Sequence, residues 1–345
     1  MLNNKVILIT GGTGSFGKEF TSYMLNHYKP KKLIIFSRDE YKQSEMAKRF
    51  PDTNYPIRFF LGDIRDRDRL YRAFENVDYV VHAAALKQVP SLEYNPFEAV
   101  KTNVIGANNI ADAALDRGVE KVIALSTDKA VNPINLYGAT KVVAEKIFIA
   151  ANSYRGRKKT IFSVVRYGNV VGSRGSVIPL FMNLKKRGIK EFPITDIRMT
   201  RFWMTLEQSV KLVIRALEKA EGGEIFVPNI PSMKMTDLAK AIEANCTFKA
   251  IGIRPGEKIH ESLISRDESS RTKIIDDMYV ILPQFKEIEG IQEKYEKYPS
   301  VPEGFMYCSE GHKRLTENEL MTHLENTASM AKDRHDTVPH TEEVG

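Results

Sequence analysis

Tyr137 and Lys141 stand four residues apart, a spacing that turns both side chains to one face of a helix. A phenol beside an ammonium suits proton exchange with an alcohol, because the cation lowers the phenol's pKa. Just upstream the chain reads Ser126-Thr127-Asp128-Lys129. The hydroxyl pair can join the proton relay, and the neighbouring carboxyl and amine offer a general acid and a general base. Lys129 can be a base only if its pKa falls, through desolvation and nearby positive charge such as Lys141. Asp128 can be an acid only if its pKa rises in a closed site.

A second cluster points to a nucleotide. The strand-like run Lys5–Thr10 leads into Gly11-Gly12-Thr13-Gly14-Ser15-Phe16-Gly17, with Gly11, Gly14 and Gly17 three apart. Glycines at that spacing allow a tight turn, close approach of backbone to a pyrophosphate, and helix–sheet packing. The helix that follows offers free N–H groups and a positive dipole end to the phosphates. At the end of the second strand, Phe36-Ser37-Arg38-Asp39-Glu40-Tyr41-Lys42 places Ser37 and Arg38 where a 2′-phosphate would lie, which favours NADP. Asp39, one residue late for a ribose contact, leaves NAD open. Asp63 and Ile64 would flank the adenine, and Ala83, Ala84 and Ala85 the next phosphate–ribose edge.

The elements that must hold these residues are legible as period. Val6–Thr10, Leu33–Phe36, Ile57–Leu61, Tyr79–Ala83, Val122–Leu125 and Phe162–Arg166 are short apolar runs. Phe16–His27, Pro96–Asp116 and Tyr137–Tyr154 carry helical spacing. Strands alternating with helices predict an α/β fold, a Rossmann-type doubly wound parallel sheet with its crevice at the carboxyl ends of the strands. Beyond about residue 170, glycines and prolines shorten the elements, leaving a helix at Leu206–Ala220 and a strand-turn-helix at Glu224–Ala244. The division expected is residues 1–172 and 203–227 for the nucleotide-binding domain, with 173–202 and 228–328 interleaved as a smaller mixed α/β substrate-binding lobe. No internal repeats are visible.

Composition bounds the rest. In 345 residues, 51 Lys and Arg against 44 Asp and Glu leave a net charge of +7, with both signs interspersed along the chain. That reads as a mixed solvated surface with a few arginines for an anionic small ligand, and not as a nucleic-acid-binding stripe. No apolar run approaches the roughly 18 residues of a membrane span, and the start of the chain fits no signal peptide. Cys246 and Cys308 lie far apart and exclude a disulfide scaffold or a Cys-rich zinc site. His312, His323, His335 and His340 cluster near the end at spacings that suit no zinc pattern, so no metal is expected. Residues 329–345 read as a disordered tail, and the whole as a reduced, cytoplasmic protein.

Over residues 4–325 the sequence resembles the extended short-chain dehydrogenase/reductase superfamily. Thr127-Asp128-Lys129 resembles the catalytic triplet of nucleotide-sugar 4,6-dehydratases, which in the hexose enzymes reads Thr-Asp-Glu. Lysine in third place is the mark of the inverting UDP-N-acetylglucosamine 4,6-dehydratases of the pseudaminic-acid pathway. The runs His82–Pro90, Arg166–Val170, Gly172–Ser176, Thr195-Asp196, Met199–Phe202 and Arg254–Lys258 agree with that subfamily, and capsule and flagellin-glycan dehydratases share many of them.

The resemblance implies cofactor contacts from Lys87, Leu125, Ser126, Tyr137, Lys141, Tyr167 and Val170, besides the glycine turn. It implies UDP-sugar contacts from Lys87, Thr127, Asn169, Val177, Thr195, Arg201, Arg254 and Glu257, and a homo-oligomer, up to a hexamer. Arg174 would serve the cofactor or a neighbouring subunit. The activity implied is C4 oxidation, C5 deprotonation with loss of the C6 hydroxyl as water, and hydride return to C6. Release of an unsaturated 5,6-product, a 4-epimerase or reductase, and a non-catalytic NADP sensor are the alternatives; the sensor would have no use for Thr127, Tyr137 and Lys141.

Overall fold

The computed structural model describes residues 1–171, 177–284 and 290–325. The run Gly172–Ser176 and the expected tail 329–345 lie outside the described residues. Six strands form where the apolar runs predict them: β1 (Val6–Thr10), β2 (Lys32–Ser37), β3 (Ile57–Leu61), β4 (Tyr79–His82), β5 (Lys121–Thr127) and β6 (Ile161–Tyr167). With Ile225–Pro228 they build a parallel array ordered β3, β2, β1, β4, β5, β6, Ile225–Pro228. The order reverses between β1 and β4, and their carboxyl ends open the crevice of a doubly wound sheet. Apart from the edge strand β3, the strands are buried on both faces, which is why they read as continuous apolar runs rather than alternating ones.

Two further strands correct the expected division of the chain. Thr272–Ile275 and Met278–Ile281 form a hairpin that adds antiparallel to Ile225–Pro228, so part of 228–328 belongs to the main sheet. The parallel sheet would otherwise end on an exposed edge, and the hairpin covers it with a buried strand. The second lobe has its own core around Phe181, Phe192, Trp203 and Leu238. Phe202 and Trp203 are neighbours in sequence, yet Phe202 packs into the sheet core and Trp203 into the second one. The stretch expected as one helix over Pro96–Asp116 contains a wide turn, Val100–Ile105, between Pro96–Ala99 and Gly106–Arg117. It carries Asn103, whose amide clamps both backbone groups of Leu86 at 2.9 Å and the Thr140 hydroxyl at 3.0 Å.

Behind β5 a buried ionic network ties three elements together. Ser126 Oγ donates to Glu145 Oε1 at 2.5 Å, and Arg166 on β6 binds both Glu145 oxygens at 3.1 and 2.7 Å. Arg166 also donates to Glu268 at 3.0 Å and to the Leu263 carbonyl at 3.0 Å. Burial raises the cost of these charges, but two carboxylates outweigh it and hold Arg166 ionised. Glu145→Gln should therefore destabilise the fold by roughly 3–5 kcal/mol, because it leaves a buried guanidinium short of one charge. Chemical denaturation measures this; a loss below about 1 kcal/mol would assign the balance to Glu268 alone.

Candidate active site

The glycine turn is built as the sequence requires. Gly11 has φ +67°, and a Cβ there would lie 2.8 Å from Ala84 N, so the turn abuts the end of β4. Helix α1 (Ser15–His27) begins at Gly14 with no side-chain cap and no acidic residue in its first turn. Its first N–H groups are therefore offered to a ligand, as a phosphate site needs. Ser15 and Phe16 open this helix half-buried, and Thr13 shares a 3.0 Å hydrogen bond with the Ser37 hydroxyl.

Arg38 is exposed, 3.8 Å from Asp63. Asp39 is occupied elsewhere: it caps the next helix by accepting from Lys42 N at 2.9 Å, and it pairs with the Lys42 ammonium. Although burial opposes it, the Arg65 guanidinium bonded to Asp63 holds that carboxyl low. Ile64 is buried, with its carbonyl held by Asn109. His82, buried and hydrogen-bonded to Thr10 at 2.8 Å, fixes the start of the Ala83–Ala84 bend; burial and then Lys141 push its pKa down to about 3. Lys87 lies exposed beyond that bend.

The proton-active groups converge at the end of β5. The Leu136–Ala151 helix starts at Asn135, whose side chain accepts from Gly138 N at 2.8 Å. Gly138 is required by contact: a Cβ there would lie 2.1 Å from the Lys129 carbonyl oxygen. The helix thus packs its Tyr137 face directly on the Asp128–Lys129 turn. Lys141 is buried and donates to the Leu125 carbonyl at 2.7 Å. Burial brings its pKa down to about 8, against the pull of Glu145.

Thr127 donates to Asp128 Oδ1 at 2.9 Å. Lys129 Nζ has three oxygen neighbours: Asp128 Oδ1 at 3.1 Å, Glu261 Oε1 at 3.4 Å and Asn169 Oδ1 at 3.5 Å. Burial would lower the Lys129 pKa as the sequence reading requires, but Asp128 and Glu261 outweigh it and raise the pKa above the ordinary value. The expectation for Tyr137 is also reversed in direction. Burial raises its pKa, and the cation that opposes this is Lys129, not Lys141. Tyr167, paired in register with Thr127, is likewise driven up, by burial and then by Tyr137.

Ser126 and Thr127 do not act as a pair. Successive strand residues face opposite ways, so Ser126 turns its hydroxyl to Glu145 and only Thr127 faces the turn. Arg201, expected at the substrate, is pinned to its own chain. It donates to the carbonyls of Thr200, Ile259 and Lys258 at 2.8, 3.0 and 3.0 Å, with Glu257 at 3.4 Å. The bonds order the 257–260 segment, and Lys258 ties that segment to the turn after β5 by donating to Val131 O at 2.6 Å. Asn169 is exposed beside Lys129, and Val170 bridges to Met204. Thr195 and Val177 are half-buried in the second lobe, and Arg254 is exposed on the loop before Glu257. Glu261, Asn103 and Glu145 are the residues the sequence reading missed, and Lys258 it gave only as part of the Arg254–Lys258 run. Nothing in the mixed polar stretch Lys258–Ser262 marks Glu261 in the sequence.

Among the described residues, no helix is long and apolar enough to cross a membrane, and no group of three or more His, Cys, Asp or Glu could hold a metal. Residues 7–283 match the polysaccharide biosynthesis protein family. The chain is 54% identical over 334 residues to the inverting UDP-N-acetylglucosamine 4,6-dehydratase of Campylobacter jejuni serotype O:2, covering 95% of this chain and 99% of that one. It is 44% identical over 305 residues to the UDP-glucose 4-epimerase of Rickettsia canadensis, covering 86% and 87%. The crystal structure of Pen from Bacillus thuringiensis superposes with a TM-score of 0.87 at 40% identity, over 95% of this chain and 99% of that one. With a doubly wound sheet, a glycine turn at its switch point and matches along nearly its whole length, the chain belongs to the polysaccharide biosynthesis protein family, among the extended short-chain dehydrogenase/reductases.

Proposed function

We propose that the protein is an NADP-dependent UDP-N-acetylglucosamine 4,6-dehydratase that inverts C5, a hydro-lyase acting as a cytoplasmic homo-oligomer in nucleotide-sugar biosynthesis for surface glycans. The observation that carries this reading is the juxtaposition of Lys129 and Asp128, 3.1 Å apart, beneath the Tyr137 face of the Leu136–Ala151 helix. An epimerase needs Tyr137 and Lys141 but has no use for a second acid–base pair. The near relative named as that dehydratase supports the same choice over the epimerase-named one, by 54% identity against 44%.

The residues of the crevice fit a dinucleotide. The uncapped start of α1 and the Gly11 turn would hold its pyrophosphate, and Lys141 its nicotinamide ribose. Ser37 and Arg38 would hold a 2′-phosphate; Asp39 is neutralised by Lys42 and bound as a helix cap, which supports NADP over NAD. When bound, the cofactor supplies the hydride acceptor for C4 and the donor for C6.

The chain supplies the protons. Tyr137 Oη, as the phenolate that the Lys129 charge favours against burial, takes the proton of the C4 hydroxyl as that carbon becomes a ketone, which acidifies C5–H. Lys129 Nζ, as the free amine, takes the C5 proton and becomes an ammonium. The carbanion delocalised into the C4 ketone expels the C6 hydroxyl, which leaves as water with the proton of Asp128. Transfer of one proton from ammonium to carboxylate, across the 3.1 Å contact, creates the reactive amine and acid together. Asn169, Thr195, Arg254 and Glu257, with Lys87, would contact the sugar nucleotide.

Lys129→Met should stop elimination while C4 oxidation survives, so reduced cofactor accumulates and solvent deuterium fails to enter C5. Single-turnover absorbance with NMR of the sugar measures this; elimination should slow by roughly two to four decades. Elimination at the wild-type rate would remove Lys129 as the base. Mass spectrometry of the product separates the classes: loss of one water means a dehydratase, an unchanged mass an epimerase or binder, and a gain of two hydrogens with external NADPH a reductase. NMR of the product at C5 and C6 distinguishes the saturated sugar from the unsaturated one.

Arg38→Ala should weaken NADP by about 1.5–3 kcal/mol, roughly 10- to 100-fold, and leave NAD affinity near its starting value. Cofactor titration checks it, and equal wild-type affinity for the two cofactors would overturn the NADP assignment.

A further inference from the structure

Glu261 is a buried acid that neither the motif nor the reaction just described uses. It lies immediately before the Ser262–Ile264 strand, which pairs with Tyr307–Cys308, and is 2% exposed. Its backbone is locked on both sides of Ser309: Glu261 N donates to Ser309 Oγ at 3.0 Å, and its carbonyl accepts from Ser309 N at 2.8 Å. Its carboxylate is thus delivered from the second-lobe side of the chain against a lysine at the end of β5, more than a hundred residues earlier in sequence. Oε1 lies 3.4 Å from Lys129 Nζ, and Oε2 is buried with no hydrogen-bond partner among the described residues. Asp128, fully buried, has one oxygen in the same condition, Oδ2. An arrangement made only for stability would not leave two carboxylate oxygens unsatisfied around one ammonium.

We propose that Glu261 is the fixed counter-ion of Lys129, a positioning residue that keeps the amine basic when Asp128 is in its acid form. The inference rests on the assignment of Lys129 as the C5 base. In the reactive state Asp128 carries a proton and no longer offers Lys129 a negative charge. A half-buried amine that a bound substrate would shield from water is a poor proton acceptor without a counter-ion, since its ammonium would be desolvated and unpaired. The Glu261 carboxylate remains, and it stabilises the ammonium that forms as the C5 proton moves to Nζ.

The other charges facing this pair are fixed by their own contacts. Arg201 is bound to backbone carbonyls and Glu257, and Lys258 to Val131 O. Tyr137 faces Lys129 from the helix, and Cys308 lies on the paired strand near Lys258. Burial and then the Asp128 charge raise the Glu261 pKa, against Lys129, Arg201 and Lys258, which favour its carboxylate; protonation of Asp128 removes the charge that opposes it. His260, next in the chain, points instead to Thr200 and Glu310.

The test is the pH profile of turnover and of C5 deuterium exchange for Glu261→Gln and Glu261→Asp. An opposite charge raises an amine's pKa, so its removal lowers the pKa at which Lys129 becomes a free base. The rising acid limb should move toward lower pH by about one unit or more in the Gln variant, while exchange on the plateau slows about tenfold because the base is weaker. The Asp variant keeps the charge but retracts it, and its limb should fall between Gln and wild type. Thermal unfolding checks that each variant folds; if Gln does not, the Asp limb is read alone, and the same direction of shift is required. A slower enzyme with an unmoved limb would mean that Glu261 only packs, and would overturn the inference while leaving Lys129 as base. Persistence of C5 exchange in Lys129→Met would instead remove the base itself.

Discussion

The site depends on one contact made without side chains: the Leu136–Ala151 helix sits so close to the end of β5 that Gly138 faces the Lys129 carbonyl with no room for a Cβ. That approach sets the height of Tyr137 over the Asp128–Lys129 turn. It also carries Lys141, one turn further along the same face, to the Leu125 carbonyl, 2.7 Å away. Asn135 holds the helix start on one side and, through the Gly256 carbonyl at 2.7 Å, the second lobe on the other. Both lobes are therefore referenced to a single helix N-terminus. A shift of that helix would move Tyr137 and Lys141 together against the Asp128–Lys129 turn, which the Gly138 contact prevents from closing further.

Electrostatics follows from the same burial. Arg166, buried, and Lys129, half-buried, are cations that each face two carboxylates, Glu145 and Glu268 for the first, Asp128 and Glu261 for the second. The arginine's partners are saturated by hydrogen bonds, as a structural pair requires. The lysine's partners keep unsatisfied oxygens, which suits groups whose protons must move. Lys141, by contrast, has one carbonyl partner and is depressed by burial to about 8, near where an amine can exchange its proton. Two lysines twelve residues apart are thus driven in opposite directions by their surroundings.

The sequence by itself determined the strands, the nucleotide-binding turn and the order of the chemistry-bearing residues. Each rests on local physics: apolar runs that fit a sheet covered on both faces, glycines that permit a turn no other residue makes, and a four-residue spacing on one helix. Tertiary structure decided what depends on neighbours distant in sequence. The Thr272–Ile281 hairpin found the open edge of the sheet, the rotation of alternate strand residues sent Ser126 to Glu145 and away from Thr127, and Arg201 became a clamp on backbone carbonyls. The direction of the Lys129 pKa belongs to the same class. Residue type and local spacing supply Asp128, but Glu261 arrives from 132 positions later, and a charge acts through distance in space rather than along the chain.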